Sequence, residues 1–294
     1  MKNIIAIVGP TGVGKTKLSV ELAKKLDGEI INADSTQVYK EINIGTAKIR
    51  EEEKENIVHH LFDTKNLLDE YSVYDYQMEA RAILNDILSR NKTVIIAGGS
   101  GLYLSALLYD YIFTKGDNVY DIDSLSDKEM YERLKVKHPE LVIDKQNRQR
   151  LTRAYAKHIN NSEEINPDNG GKNLVYDCLF IGLTTDREIL YDKINHRSDK
   201  MIEDGLIKEV RELYNKYPTS KQLGTTIGYK EFKDYIKGKD YLENVLENIK
   251  QNSRNYAKRQ YTWLNHKMDV KWFTTDYNNF NNTVKYVITY IEEQ

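Results

Sequence analysis

The sequence predicts an α/β protein: a parallel sheet covered by helices, with a mostly helical insertion and a helical C-terminal part. Three observations carry this. Short continuous apolar runs, NIIAIV at 3–8, EIINA at 29–33 and TVIIA at 93–97, have the pattern of strands buried on both faces. Helical periodicity separates them. Between about 114 and 172 the strand pattern disappears, and charged amphipathic segments take its place.

The elements follow in order. Gly9 to Gly14 punctuate the first strand, and from Lys15 the residues Leu18, Leu22 and Leu26 form one stripe. After the second strand, 74–90 reads as a helix, with Met78, Ala82 and Ile83 recurring at helical intervals. TVIIA closes on Gly98-Gly99, and 102–108 starts another helix. Residues 114–126 are polar. A helix over 127–138 turns Met130, Tyr131 and Leu134 inward and stops before Pro139; a second covers 147–160, and 161–173 is a loop. Strand pattern returns at 176–183. The tail is helical over 187–217, 239–265 and 283–292, with a short strand at 270–273. The domains expected are therefore 1–113, the first part of the core; 114–172, the insertion; and 173–294, core completion and C-terminal helices.

Composition bounds the function. The 294 residues are 40% hydrophobic and 30% charged, enough to bury a core and too apolar for a disordered chain. No run approaches the roughly 18–20 apolar residues of a membrane span, and no apolar leader region follows Met1. The single cysteine, Cys178, excludes an intramolecular disulfide framework and a multi-cysteine zinc site. A cytoplasmic enzyme is expected. The net charge of −2 argues against indiscriminate coating of nucleic acid and leaves room for a local basic groove.

The segment Gly9-Pro10-Thr11-Gly12-Val13-Gly14-Lys15-Thr16 fits G-x4-G-K-[ST] between a buried strand and a helix start. Its glycines let backbone N–H groups turn around phosphate oxygens, and the helix N-terminus adds partial positive charge. Lys15 would neutralise a terminal phosphate, and Thr16 would help to hold Mg²⁺. The loop indicates a diphosphate or triphosphate, not hydrolysis. NTPases place an acid after a later apolar strand; here TVIIA runs into Gly98-Gly99-Ser100. An acid instead follows the second strand, Asp34, so it should share the crevice beyond the strands' carboxyl ends. It could hold Mg²⁺ through water, take a proton from a nucleophile, or simply cap a helix.

In chain order, GPTGVGKT, ADSTQVY (33–39), VHHLFD (58–63), YSVYDYQ (71–77) and IIAGGSGLYLSAL (95–107) resemble the tRNA dimethylallyltransferase, or tRNA isopentenyltransferase, family. FIGLTTDREILYDKINHRSDKMIEDGLIKEV (180–210), TTIGYKEF (225–232) and NYAKRQYTW (255–263) continue the resemblance over nearly the whole chain. It implies a P-loop core related to nucleotide kinases and a helical insertion that grips the anticodon stem-loop. It implies transfer of a dimethylallyl group from dimethylallyl diphosphate to the exocyclic N6 amine of the adenosine 3′ of the anticodon in tRNA. Diphosphate leaves. Mg²⁺ is the expected cofactor, and a monomer is the expected state. By the same resemblance Asp34 is the general base, Arg197 a further cation on the leaving diphosphate, and Ser100, where most members carry threonine, a hydroxyl near the reacting amine. The tRNA contacts implied are Asp34, Ser35, Thr36 and Gln37; Gln149, Arg150, Leu151, Thr152 and Arg153; and Gly228, Tyr229 and Lys230.

Two basic stretches suit RNA. Lys145, Arg148, Arg150, Arg153 and Lys157 occur with no acid between them. Lys250, Arg254 and Lys258 repeat at four-residue steps, interleaved with Tyr256, Arg259, Tyr261 and Trp263, a pattern for phosphate contact and base stacking. Gly228 would permit close backbone approach and Tyr229 could stack. His59-His60 reads as structural. Residues 108–146 match the family poorly. The other readings are an adenylate isopentenyltransferase acting on free AMP, ADP or ATP, a kinase, and a nucleotide-dependent RNA-binding module.

Overall fold

A computed structural model describes residues 2–111, 125–145, 148–159 and 171–294. The elements in chain order are β1 (Ile4–Val8), α1 (Lys15–Lys25), β2 (Gly28–Asn32), β3 (His59–His60), α2 (Val73–Ser89), β4 (Thr93–Ala97) and α3 (Gly101–Leu108). Then come α4 (Asp127–Lys137), α5 (Arg148–Ile159), β5 (Leu179–Thr184), α6 (Arg187–Glu203), α7 (Leu206–Lys216), α8 (Lys221–Thr225) and α9 (Lys233–Ile236). The chain ends with α10 (Leu242–Lys267), β6 (Lys271–Thr274) and α11 (Phe280–Glu292).

The described strands form one sheet in the order β3-β2-β4-β1-β5-β6, and every pairing is parallel. The chain leaves β1 for β2, returns to β4 between them, then crosses to β5 on the far side of β1. Direction thus reverses around β1, the kind of switch point at which open α/β sheets bind ligands. All five residues of β1 and of β2 are buried, because helices cover both faces. On α1, Leu18 and Leu22 pack into the main core with Ile5, Ile7 and Ile30.

Four features depart from the periodicity. His59–His60 forms a two-residue strand, too short to show a period; it is recruited by register with Ile30 and Ile31 and by a His60–Glu29 contact of 2.8 Å. The inward face of α2 is Tyr76, Ala80, Leu84 and Ile87, whereas Met78 is 54% exposed. The helical stretch expected over 187–217 breaks at Gly205, whose φ of 101° starts α7. Cys178 lies before β5, buried, and burial pushes its thiol up, so it is inert.

The chain divides into two compact units, 1–109 with 174–294, and 110–173. In the second, Met130 and Leu134 of α4, Leu141 of the connection, and Leu151, Ala154 and Tyr155 of α5 form one core. Ser126 caps α4 by accepting the Glu129 N–H, and Arg148 pairs with Asp127. Most of the polar segment 114–126, and 161–170 of the expected loop, lie outside the described residues.

Candidate active site

The site lies in the first unit, where the carboxyl ends of β1, β2 and β4 meet. The phosphate loop follows β1. Gly9, Gly12 and Gly14 have φ of 137°, 89° and 93°, and a Cβ on Gly9 would stand 2.5 Å from the Leu183 carbonyl oxygen. Glycine is required there by both backbone and space. Gly14 leads into α1, so the first N–H groups of that helix open onto the loop.

Asp34 follows β2. It does not cap a helix: its Oδ1 accepts from the Thr36 N–H (2.9 Å) and the Thr36 hydroxyl (2.7 Å), closing a turn. Its Oδ2 has no hydrogen-bond partner among the described residues, so one carboxylate oxygen remains for chemistry. The turn after β4 is sewn to the same place. Ser100 N–H donates to the Ala33 carbonyl (3.1 Å), and Ser100 Oγ accepts from the Ser35 N–H (3.1 Å) and stands 3.5 Å from the Tyr256 hydroxyl.

Two cations face the phosphate loop. Arg197, on α6, donates to the Thr11 hydroxyl (2.8 Å) and the Thr46 carbonyl (3.4 Å). Lys15 donates to the Pro10 carbonyl (2.7 Å). Both residues are partly buried and line the cavity. Burial pushes the Lys15 ammonium down to about 8 and lowers Arg197, with the Asp34 charge opposing each shift. Among the described residues no carboxylate pairs directly with either one, so an anion is the missing complement.

The cavity shared by these groups holds about 850 Å³ and is lined by Lys15, Asp34, Ser100 and Arg197, with aromatic walls that include Tyr103 and Trp263. Thr16 lines it too, its hydroxyl making no hydrogen bond among the described residues. One hydroxyl and one carboxylate, completed by phosphate oxygens and water, suit a hard cation such as Mg²⁺. The described residues contain no cluster of three or more His, Cys, Asp or Glu able to hold a metal; His59 Nδ1 and His60 Nε2 are occupied by the Ile57 carbonyl and Glu29.

The IPP transferase family model matches residues 37–267. The chain belongs to the IPP transferase family. It is 43% identical over 306 residues to a tRNA dimethylallyltransferase of Anoxybacillus flavithermus, covering 99% of this chain and 96% of that one. A solved tRNA isopentenylpyrophosphate transferase of Staphylococcus epidermidis superposes with a TM-score of 0.74 at 37% identity, over 99% of this chain and 98% of that one. A eukaryotic dimethylallyltransferase, solved in snapshots acting on tRNA, gives 0.81 at 28% identity, over 100% of this chain and 80% of that one. The fold class expected from sequence, an α/β P-loop core with added helices, is the fold of this IPP transferase family. The phosphate loop and Asp34 lie before the matched segment, and the near full-length relatives span them.

On the RNA side the structure corrects several expectations for this IPP transferase. Tyr229 does not stack on a base: it is 0% exposed. Its hydroxyl donates to Glu209 (2.5 Å) and accepts from the Gly45 N–H (3.1 Å). Gly228 has φ +93°, and a Cβ there would meet the Gly45 backbone at 3.0 Å. The 226–229 turn therefore braces the loop before Thr46, whose carbonyl receives both Gln37 Nε2 (3.0 Å) and Arg197. Tyr229→Phe is expected to destabilise by about 1–3 kcal/mol, because Gly45 N–H loses its acceptor. Thermal unfolding checks this; unchanged stability would contradict the bracing role.

Leu151 is fully buried in the second unit's core, so its side chain makes no RNA contact; Thr152 donates to the Arg148 carbonyl (2.8 Å), and Arg150 is exposed. The Gln149 and Arg153 side chains lie outside the described residues. The basic face expected on α10 divides. Lys250 pairs with Asp199 (2.8 Å) and Arg254 donates to Asn195 (2.6 Å), both locking α10 to α6. Tyr261 is partly buried, packs against the main core and is bonded to Thr184 (2.7 Å). Lys258 and Arg259 stay exposed, Arg259 lies over the Tyr256 ring, and Lys230 lines the cavity. Periodicity had no means of singling out Thr46, which acts through its carbonyl, or Gln260, a single amide in a helix of amides and cations. Only the segment NYAKRQYTW pointed near the latter.

Proposed function

We propose that the chain transfers the dimethylallyl group of dimethylallyl diphosphate to the N6 amine of the adenosine 3′ of the anticodon in tRNA, releasing diphosphate. One observation carries this reading: a single cavity holds a phosphate loop with two unpaired cations and a carboxylate with one free oxygen, and the turn after β4 lacks an NTPase acid.

The diphosphate would occupy the loop over residues 9–16. Lys15 leaves the Pro10 carbonyl for a phosphate oxygen, and Arg197 holds another. The amine nitrogen attacks the allylic carbon as the bond from that carbon to the diphosphate oxygen breaks, and the oxygen keeps the electron pair. Lys15 and Arg197 stabilise that charge where it develops. Asp34 Oδ2 takes the amine proton, while Ser100 Oγ and the Ser35–Gln37 turn orient the base. Thr16, with Asp34 through water, would hold Mg²⁺, which would supply further charge neutralisation to the diphosphate. The aromatic walls exclude water from the allylic centre. The adenosine must leave its stack to reach the cavity, and Lys230, Arg259 and the basic helix α5 are the groups proposed to hold RNA phosphates. No described helix is long and apolar enough to cross a membrane.

Donor binding should take up a proton. Lys15 titrates at about 8 in the free protein, and a bound diphosphate favours the ammonium. Affinity is therefore full below that value and falls as pH rises through it. Calorimetric titration with dimethylallyl diphosphate at that pH, in buffers of different ionisation enthalpy, should show uptake of about half a proton. Lys15→Met should abolish the uptake; uptake retained in that variant would remove the assignment.

The reading itself is tested by competition. Labelled dimethylallyl diphosphate is supplied with equal concentrations of unmodified tRNA and AMP. Label on tRNA is the expected result; label on AMP alone would overturn it in favour of a free-nucleotide enzyme.

A further inference from the structure

Gln260 lies on α10, only 5% exposed, and spends both ends of its amide on the site. Its Oε1 accepts the Thr11 N–H at 3.0 Å, and its Nε2 donates to the Gly99 carbonyl at 3.0 Å. Only one orientation of the amide satisfies both, since an N–H needs an acceptor and a carbonyl needs a donor. Each partner leads to a reacting group. The Thr11 hydroxyl receives Arg197, and Gly99 precedes Ser100, whose Oγ holds the Ser35 N–H beside Asp34. The turn after β4 is shaped around this amide: a Cβ on Gly99 would stand 2.0 Å from Gln260 Nε2, and one on Gly98 would stand 2.3 Å from the Ala33 backbone.

We infer that Gln260 is a positioning residue whose amide sets the separation between the loop that holds the leaving diphosphate and the turn that presents the acceptor-side hydroxyl. It touches no reacting atom. It acts through Thr11 and Gly99, which lie beyond the last bond of the β1–β4 ladder, from the Gly98 N–H to the Ile7 carbonyl (3.2 Å). The inference rests on the prenyl-transfer reading of the site.

Two variants test it in a tRNA prenylation assay across pH. In Gln260→Glu, the protonated carboxyl copies the amide, with an O–H for the Gly99 carbonyl and an oxygen for the Thr11 N–H. Ionised, it loses that donor and places negative charge against the Gly99 carbonyl. The ratio of its kcat to that of wild type should therefore fall about 100-fold from acid to alkaline pH. Asp34, Lys15, Tyr256 and Arg259 face the same cavity in both proteins, and Gln260→Met, which adds no titratable group, reports their shared contribution. Gln260→Met, similar in volume and unable to make either bond, should lose about 100-fold at every pH, with KM for tRNA within about threefold. Thermal unfolding checks both variants, and Gln260→Met carries the test if the glutamate variant does not fold. A flat ratio for folded Gln260→Glu, or wild-type kcat in Gln260→Met, would overturn the inference. Wild-type activity on tRNA in the same assay separates that outcome from failure of the prenyl-transfer reading.

Discussion

Asp34→Asn is expected to lower turnover by about 10³-fold while leaving affinity for dimethylallyl diphosphate within about threefold. The two effects separate because the two carboxylate oxygens have different work. Oδ1 holds the Thr36 N–H and hydroxyl, and an asparagine oxygen would hold them equally well. The amide cannot take the amine proton, so the turn survives and the base is lost. Asp34→Ala should lose the turn as well, and with it part of the hold on Ser35 and Gln37. Steady-state prenylation of tRNA gives the turnover, and calorimetric titration of the donor gives the affinity. Equal losses in turnover and donor affinity for Asp34→Asn would remove the general-base assignment.

Arg197→Gln is expected to cost about 10²–10³-fold in turnover and to leave the ligand-free protein as stable as wild type, or more so. Arg197 brings a partly buried positive charge to the phosphate loop, with only the Thr11 hydroxyl and the Thr46 carbonyl bonded to it among the described residues. Burial lowers its affinity for the proton, and the Asp34 charge offsets this only in part. A group held in that way raises the energy of the empty site and is released when an anion arrives. Thermal unfolding with and without inorganic diphosphate should show the crossover: the variant at least equal without ligand, the wild type higher with it. Arg197→Lys keeps the charge and loses the fork that spans Thr11 and Thr46, so it should recover only part of the rate. A variant that is markedly less stable without ligand, with full diphosphate stabilisation retained, would assign Arg197 to structure.

The central elements were legible because the physics that makes them is local. Buried parallel strands are continuous apolar runs, and a phosphate loop needs its glycines and lysine at fixed spacing between strand and helix. Both show in a single line of sequence. Asp34 was placed by the rule that ligands gather beyond strand ends, and its position beside Lys15 and Arg197 followed. The failures have a common cause, which is that burial depends on partners distant in sequence. Tyr229 suited stacking until Glu209, on α7, and Gly45, far upstream, were found around its hydroxyl. Lys250 and Arg254 suited a solvated basic face until α6 presented Asp199 and Asn195. Buried tyrosines show the same dependence on distant partners. Tyr76, for example, is fully buried against Tyr103 and donates to the Asn32 carbonyl at 3.0 Å, holding β2 just before Asp34. In a core so placed, a phenol fills the volume of an aromatic ring and satisfies a carbonyl as well.

The most direct measurement is the identity of the modified nucleoside. Unmodified tRNA with an adenosine 3′ of the anticodon is incubated with the protein, dimethylallyl diphosphate and Mg²⁺, digested with site-selective nuclease, and analysed by mass spectrometry. The predicted result is one dimethylallyl group on the exocyclic amine of that adenosine, with inorganic diphosphate released in equal amount. No adduct, under conditions where a known family enzyme forms one, or an adduct at another nucleoside, would contradict the account.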